Sequence, residues 1–282
     1  MPRGLKVRPL RRAEREPALH LLAKSPLRNL LLVDAVQRMG MAPVPGELRS
    51  RVLGAWSDGD LVALASLQPA IGISAGASAE ALEALLPFVT SVTAGLVKTG
   101  EAEADRLWRR FEGQGRRPLL DRFEVAYAVA PDEARLADPP AGVVARRAAL
   151  EDLESLVLAA RASLREEDRP DPFEGDVEGF RRWVAGRVGR AEVLEHDGTL
   201  CFVGYADVRM PAGWLLQGVY TWPEFRRRGF GAAGVSSLCR RAFAEGGSHV
   251  QLAVVEGNVA AERLYGSLGF RPFDRLRTIL FN

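Results

Sequence analysis

The segment WLLQGVYTWPEFRRRGFGAAGVSSLCRRAF constrains this chain more than any other, because an apolar strand ends at Pro223 and a turn of arginines and glycines opens directly into a long helix. The first N–H groups of a helix have no partner inside it and sit at the positive end of its dipole, so such a turn can hold a phosphate without help from side chains. Gly229 and Gly231 let the backbone bend and approach a ligand closely. Arg226, Arg227 and Arg228 either add positive charge there or form a solvated cluster. No Lys-Ser or Lys-Thr follows the glycines, which excludes a Walker loop, and RRRGFG lacks the three glycines of a dinucleotide-binding fingerprint.

About 25 residues further on, QLAVVEGNVAAERLYGSLGFRPF gives a strand and then Asn258, Ala261, Leu264, Tyr265, Leu268, Gly269 and Phe270. Together with Arg226, Gly229 and Gly231 this resembles the two motifs of the GNAT family of N-acetyltransferases, in the family's order and separation. The resemblance covers residues 143–282 and implies a mixed sheet splayed between its central strands, with acetyl-CoA bound in the splay as cosubstrate. It places the pyrophosphate on the turn of Arg226, Arg227, Arg228, Gly229, Phe230, Gly231 and Ala232. Backbone groups of Val219, Tyr220 and Thr221 then bond pantetheine and the acetyl carbonyl, and Asn258 matches a further cofactor contact. Tyr265 matches the residue that protonates the departing CoA thiolate; the other reading is a helix tyrosine packed on the sheet.

The base is where the chain departs from that pattern. Attack on a thioester needs a free amine, whereas an alkylammonium with a pKa near ~10 has no lone pair to offer. The family's two glutamate positions are Leu215 and Ala253 here. Gln217 shares a strand face with Leu215 and Val219 and can orient a water without taking a proton. Glu195, His196 and Asp207 are the remaining candidates, along with a water chain or an amine that arrives partly deprotonated.

Residues 131–142, PDEARLADPPAG, read as a linker between two periodic halves, residues 1–130 and 143–282. Both halves begin with a short apolar strand running into an amphipathic helix. Both also carry an Asp-Gly turn between apolar strands, at Asp58-Gly59 and Asp197-Gly198, the signal of a type I′ hairpin. Val7 to Val144 is 137 residues and Asp58 to Asp197 is 139, which suggests a duplicated domain. The expected fold is α/β with mixed α+β character: tandem GNAT-like domains, each a mostly antiparallel, splayed sheet flanked by helices. In the first half, strands are expected near 52–56, 61–67, 88–97 and 119–129, and helices near 79–86 and 101–113. In the second half, helices are expected near 150–165, 179–188, 229–245 and 259–268, and strands near 193–195, 200–210, 214–221, 250–255 and 276–281. Counting 139 back from Arg226 reaches Pro87, near which no arginine-glycine turn occurs, so the first half reads as a degenerate copy that binds no CoA.

The leading functional reading is an acetyl-CoA-dependent N-acetyltransferase acting on a primary amine of a small molecule or peptide by direct attack in a ternary complex. A noncatalytic acyl-CoA-binding or regulatory module is the alternative, since the glutamates are missing. The segment REEDRPDPFEGD either attracts a cationic acceptor or is a solvated acidic loop. A formal charge of +2 and the lack of an aromatic stacking set argue against nucleic acid as partner. No run of 18 apolar residues argues for a membrane span. Two cysteines without a CxxC, beside three histidines, give neither a disulfide framework nor a zinc site, and a reduced cytoplasm fits.

Overall fold

The computed structural model describes residues 4–41, 49–171, 173 and 175–282. Among these, residues 4–41, 49–125 and 274–282 form one compact unit (unit 1) and residues 126–273 form another (unit 2). The chain first runs through β1 (Lys6–Pro9), α1 (Arg15–Leu22), α2 (Pro26–Gln37), β2 (Arg51–Ser57), β3 (Asp60–Gln68), β4 (Gly72–Ile73), α3 (Ala79–Val89), β5 (Gly95–Gly100), α4 (Glu101–Gly113) and β6 (Pro118–Val129). It then repeats that order through β7 (Val143–Arg147), α5 (Leu153–Glu166), α6 (Val177–Ala185), β8 (Ala191–His196), β9 (Thr199–Met210), β10 (Gly213–Thr221), α7 (Phe230–Ala244), β11 (Val250–Val255), α8 (Val259–Ser267) and β12 (Arg271–Phe281). The identical sequence of strands and helices is the repeat that the two offsets hinted at.

Local chemistry explains most of these elements. Both Asp-Gly hairpins adopt positive φ at each turn residue, 52° and 96° at Asp58 and Gly59, 49° and 73° at Asp197 and Gly198, as a type I′ turn requires. The strand expected over residues 88–97 is instead the end of α3, a short connection and β5. Helix α3 is capped by Ser78, whose Oγ accepts from the Ala81 N–H at 3.2 Å, and it buries Leu82, Leu85, Leu86 and Val89 on one face. That burial carries it past Pro87, which sits in its last turn. Helix α2 has a proline in its first turn, where the missing N–H costs nothing, and buries Leu30, Leu32, Val33 and Val36.

In unit 1, β1, β2, β3 and β4 pair antiparallel in that order. Ile71, beside β4, makes a parallel bridge to Val97 of β5. Strand β5 pairs antiparallel with β12, from Gly100↔Leu276 to Gly95↔Phe281, and β6 lies beyond β12. Glu124 of β6 is buried among cations, with Lys98 Nζ at 2.6 Å and Arg122 at 2.9 Å. Burial pushes its carboxyl up, but Lys98 and then Arg122 more than offset this and bring it down to about 2.

In unit 2 the strand order is β6, β11, β10, β9, β8, β7. Alternation along β9 sends Phe202 into a core with Trp214, Phe230 and Leu238, and Val203 and Tyr205 into a second core with Leu156, Phe180 and Val184. Helices α7 and α8 contribute to the first core, and α5 and α6 to the second. Helix α7 approaches β9 closely, since a Cβ on Gly234 would lie 2.3 Å from the Phe202 ring. Burying a side chain such as Phe202 contributes about 2–3 kcal/mol. Among the described residues no helix is long and apolar enough to cross a membrane. Cys201 and Cys239 are buried free thiols, pushed by burial up to about 11 and about 12.

Candidate functional site

Strands β10 and β11 run parallel but pair at Trp214↔Val250 and Leu215↔Gln251 alone among the described residues. Past Leu215 they separate. On its other side β10 stays bonded to β9 as far as Thr221↔Phe202, with irregularities after Leu215 and between Gln217 and Tyr220, where Gly218 has φ +56°. The backbone of Val219, Tyr220 and Thr221 therefore lies on the strand that the splay opens, with no strand partner on the β11 side.

Beyond Thr221 the chain makes a 3-10 turn over Pro223–Phe225, extends at Arg226, turns left-handed at Arg227 (φ 58°) and Gly229 (φ 86°), and enters α7 at Phe230. Among the described residues none of the backbone N–H groups of residues 227–232 donates to a protein acceptor. Gly229 caps the helix without a side chain and no acid occupies the first turn, so no side chain among the described residues caps these donors. They form an anion cradle at the helix's positive end. The two glycines serve different ends: Gly229 supplies a left-handed backbone, where a Cβ would meet only Pro140 Cγ at 3.7 Å, whereas a Cβ on Gly231 would lie 3.3 Å from Thr221 Oγ1 and 3.5 Å from Leu264 Cδ2.

The three arginines also differ. Arg226 is held within the protein, its Nε donating to the Thr221 carbonyl at 2.9 Å and its fork closing on Glu166 at 2.7 and 2.8 Å. Glu166 ends α5 and also accepts from the Tyr220 hydroxyl at 3.2 Å. This clamp between α5, β10 and the turn was not readable in the sequence, because Glu166 stands 60 residues from Arg226 and carries no motif. Arg227 and Arg228 have no carboxylate partner among the described residues. The Arg228 guanidinium lies 5.4 Å from the Phe230 ring centroid.

Tyr265 lies on α8, 7% exposed, with its ring edge-on to Phe270 at 5.6 Å. Its hydroxyl has no hydrogen-bond partner among the described residues. Burial, then the charge of Glu167, hold its phenol well above the ordinary tyrosine value, so it stays protonated at neutral pH. Asn258 caps α8, its Oδ1 accepting from the Ala261 N–H at 3.1 Å, which leaves its amide donors uncommitted.

Leu215 is buried in β10 and Gln217 is half-buried. Of the other base candidates, Glu195 pairs with Arg146 at 2.9 Å and Asp207 with Arg187 at 2.7 Å. His196 sits 3.5 Å from Asp197 and packs edge-on to Phe230. Carboxylates of the acidic segment are likewise engaged: Glu166 by Arg226, Glu167 by Arg169 at 3.8 Å, Asp171 by the Phe173 N–H and Asp176 by the Gly179 N–H.

Residues 151–270 match the model of the acetyltransferase (GNAT) family. Among solved structures, a Drosophila protein is similar over 98% of this chain and 99% of its own, with 17% identity and a TM-score of 0.76. A GCN5-related N-acetyltransferase from Sphaerobacter thermophilus is similar over 98% and 94%, with 16% identity and a TM-score of 0.62. A tandem GNAT protein from the clavulanic acid biosynthesis pathway is similar over 98% of both chains, with 17% identity and a TM-score of 0.58. At such identities the structural likeness speaks for the fold. No curated protein matches this chain. Residues 151–270 are thus a domain of the GNAT acetyltransferase family, in a chain that folds as tandem GNAT proteins do.

Proposed function

We propose that unit 2 is an acetyl-CoA-dependent N-acetyltransferase acting on a primary amine. The observation that carries this reading is the run of unpartnered N–H groups over residues 227–232 at the mouth of the β10/β11 splay. Acetyl-CoA supplies the acetyl group as an activated thioester. The N–H groups of the turn hold its pyrophosphate, with Arg227 and Arg228 beside them, and the backbone of Val219, Tyr220 and Thr221 holds pantetheine. Asn258 offers its amide to the same ligand. Arg226 orders the turn through Thr221 and Glu166.

The amine attacks as its free base, a bond from nitrogen to the acetyl carbon forms, and the carbon–sulfur bond breaks. The Tyr265 hydroxyl, which has no hydrogen-bond partner among the described residues, delivers a proton to the departing sulfur and regains one from solvent, so that the proton lost by the amine balances the one gained by the thiolate. With Leu215 and Ala253 at the glutamate positions and Glu195 and Asp207 ion-paired, the amine's proton passes to water, with Gln217 orienting it. We read unit 1 as a degenerate copy that binds no CoA, and the protein as cytoplasmic on the strength of its buried thiols.

The test is calorimetry with CoA beside an assay of thiol release from acetyl-CoA over a panel of amines. Binding with turnover supports the enzyme. Binding without turnover for any amine makes unit 2 a noncatalytic acyl-CoA-binding module.

A further inference from the structure

Unit 2 contains a cleft of about 270 Å³ between the C-terminal half of α5 and the start of α6. Its charge is not what the acidic segment suggests, for Arg161, Arg165 and Arg169 line it against a single described carboxylate, Asp171. Asp171 is turned to its own loop, accepting from the Phe173 N–H at 2.8 Å. Arg161 has no carboxylate partner among the described residues; its Nε is buried without a hydrogen bond and its guanidinium lies 4.9 Å from the Phe180 ring centroid. Arg165, one helical turn on, has no carboxylate partner among the described residues either. Leu164, Phe173 and Val177 supply an apolar wall.

A buried guanidinium nitrogen without an acceptor is destabilising, which favours an anion beside Arg161. Paired arginine forks are the group that best matches a planar carboxylate. The volume falls below the roughly 300–1,000 Å³ of pockets for drug-sized ligands, which suits one amino-acid-sized molecule rather than a peptide. Arg165 shares the last turn of α5 with Glu166, whose carboxylate receives Tyr220 of β10 and Arg226 of the turn.

The geometry points to an acceptor that carries a carboxylate and an apolar side chain as well as its amine, the carboxylate on Arg161 and Arg165 and the side chain against Phe173 and Val177. The assignment rests on the acetyl-transfer reading for calling this ligand the acceptor.

The test compares phenylalanine and leucine with phenethylamine and isoamylamine, which lack only the carboxylate, in thiol release from acetyl-CoA. The amino acids are expected to exceed the amines at least tenfold in kcat/KM, and Arg165→Met, at an exposed position, and Arg161→Met to close that gap through KM. Equal rates for both sets, or a gap untouched by both variants, overturn the proposal. Calorimetry of phenylalanine binding to the CoA-loaded protein separates the two readings. Binding lost in Arg165→Met, with no turnover of any amine, keeps the carboxylate site and removes the enzyme. Absence of binding and of turnover overturns both. Weaker CoA binding in Arg165→Met, with phenylalanine unaffected, overturns the proposal by giving the arginines to a phosphate of CoA.

Discussion

The helices α3 and α7 stand at the same place in the element order of their units, yet their first turns have opposite chemistry. At α3 the chain satisfies its own donors. Ser78 accepts from the Ala81 N–H, Asn29 Oδ1 accepts from the Ala75 N–H at 2.8 Å, and the Ala77 N–H reaches the Ser74 carbonyl at 3.3 Å. Glu80 lies in the first turn with its carboxyl held below the ordinary range by its own backbone N–H and then by the Ser78 side chain. At α7 a glycine stands at the cap, no acid follows, and residues 227–232 keep their N–H groups free. The difference teaches that a helix start becomes an anion site by what the chain leaves out. Unit 1 fills the place with its own carboxylate and hydroxyl; unit 2 puts neither there and sets Arg226, Arg227 and Arg228 beside it.

The largest expected effect comes from Gly231→Val. Its branched side chain closes the cradle between Thr221 and Leu264, and losing two charge-assisted bonds at about 1.5–3 kcal/mol each weakens CoA binding roughly 10²- to 10⁴-fold. Calorimetry on the folded variant checks this, and unchanged affinity would move the cofactor elsewhere. Tyr265→Phe is expected to lower kcat by about 10²-fold or more with little change in the KM for acetyl-CoA, since the hydroxyl acts only as charge develops on sulfur. The parent enzyme should also show no loss of rate from phenol ionisation as pH rises to 10, because the Tyr265 pKa lies above that value.

Unit 1 should respond in stability alone. Glu124 has an ordinary value of 4.5 and a folded value of about 2, so its ion pairs stabilise fully above pH 4.5 and are lost as pH falls through about 2. That contribution is about 3 kcal/mol. Acid unfolding of Glu124→Gln against the parent measures it, and an identical acid limb for the two proteins would show the pairs to be idle. The smallest effect is that of Ser78→Ala, which removes the cap of α3 and costs about 1 kcal/mol in thermal unfolding while leaving CoA affinity unchanged. A change in CoA affinity there would mean that unit 1 has a cofactor role after all.

What was legible in the sequence follows from how local each signal is. The Asp-Gly turns, the strand before Pro223 and the turn at Gly229 are fixed by residues within a few positions of one another, and they appear where expected. The repeat was harder to phase, because α7 begins 151 residues after α3 (230 minus 79) rather than 139. Strands β3 and β4 are shorter than β9 and β10, so the counterpart of the phosphate turn lies at residues 74–78 and not at Pro87. Two-residue β4 gives no alternation to read, and the expected helix over 79–86 stops short of Pro87 because the burial that carries α3 past it is a tertiary effect. At the site, residue types and spacing marked the turn and Tyr265. The Glu166 clamp and the arginine-lined cleft depend on side chains brought together from distant segments, and spacing says nothing of them.

The pairing of β12 with β5 bears on how the chain is made. Residues 274–282 belong to unit 1 but are separated from the rest of it by residues 126–273. During synthesis, unit 1 cannot close β5 until all of unit 2 has emerged, so β5 waits with an unpaired edge while the ribosome translates about 150 residues. At about 5–20 residues per second that wait lasts on the order of ten to thirty seconds, long compared with the folding of a small domain. The part of the molecule begun first is therefore finished last, and a nascent chain halted within unit 2 carries an open strand edge to any partner able to pair with it.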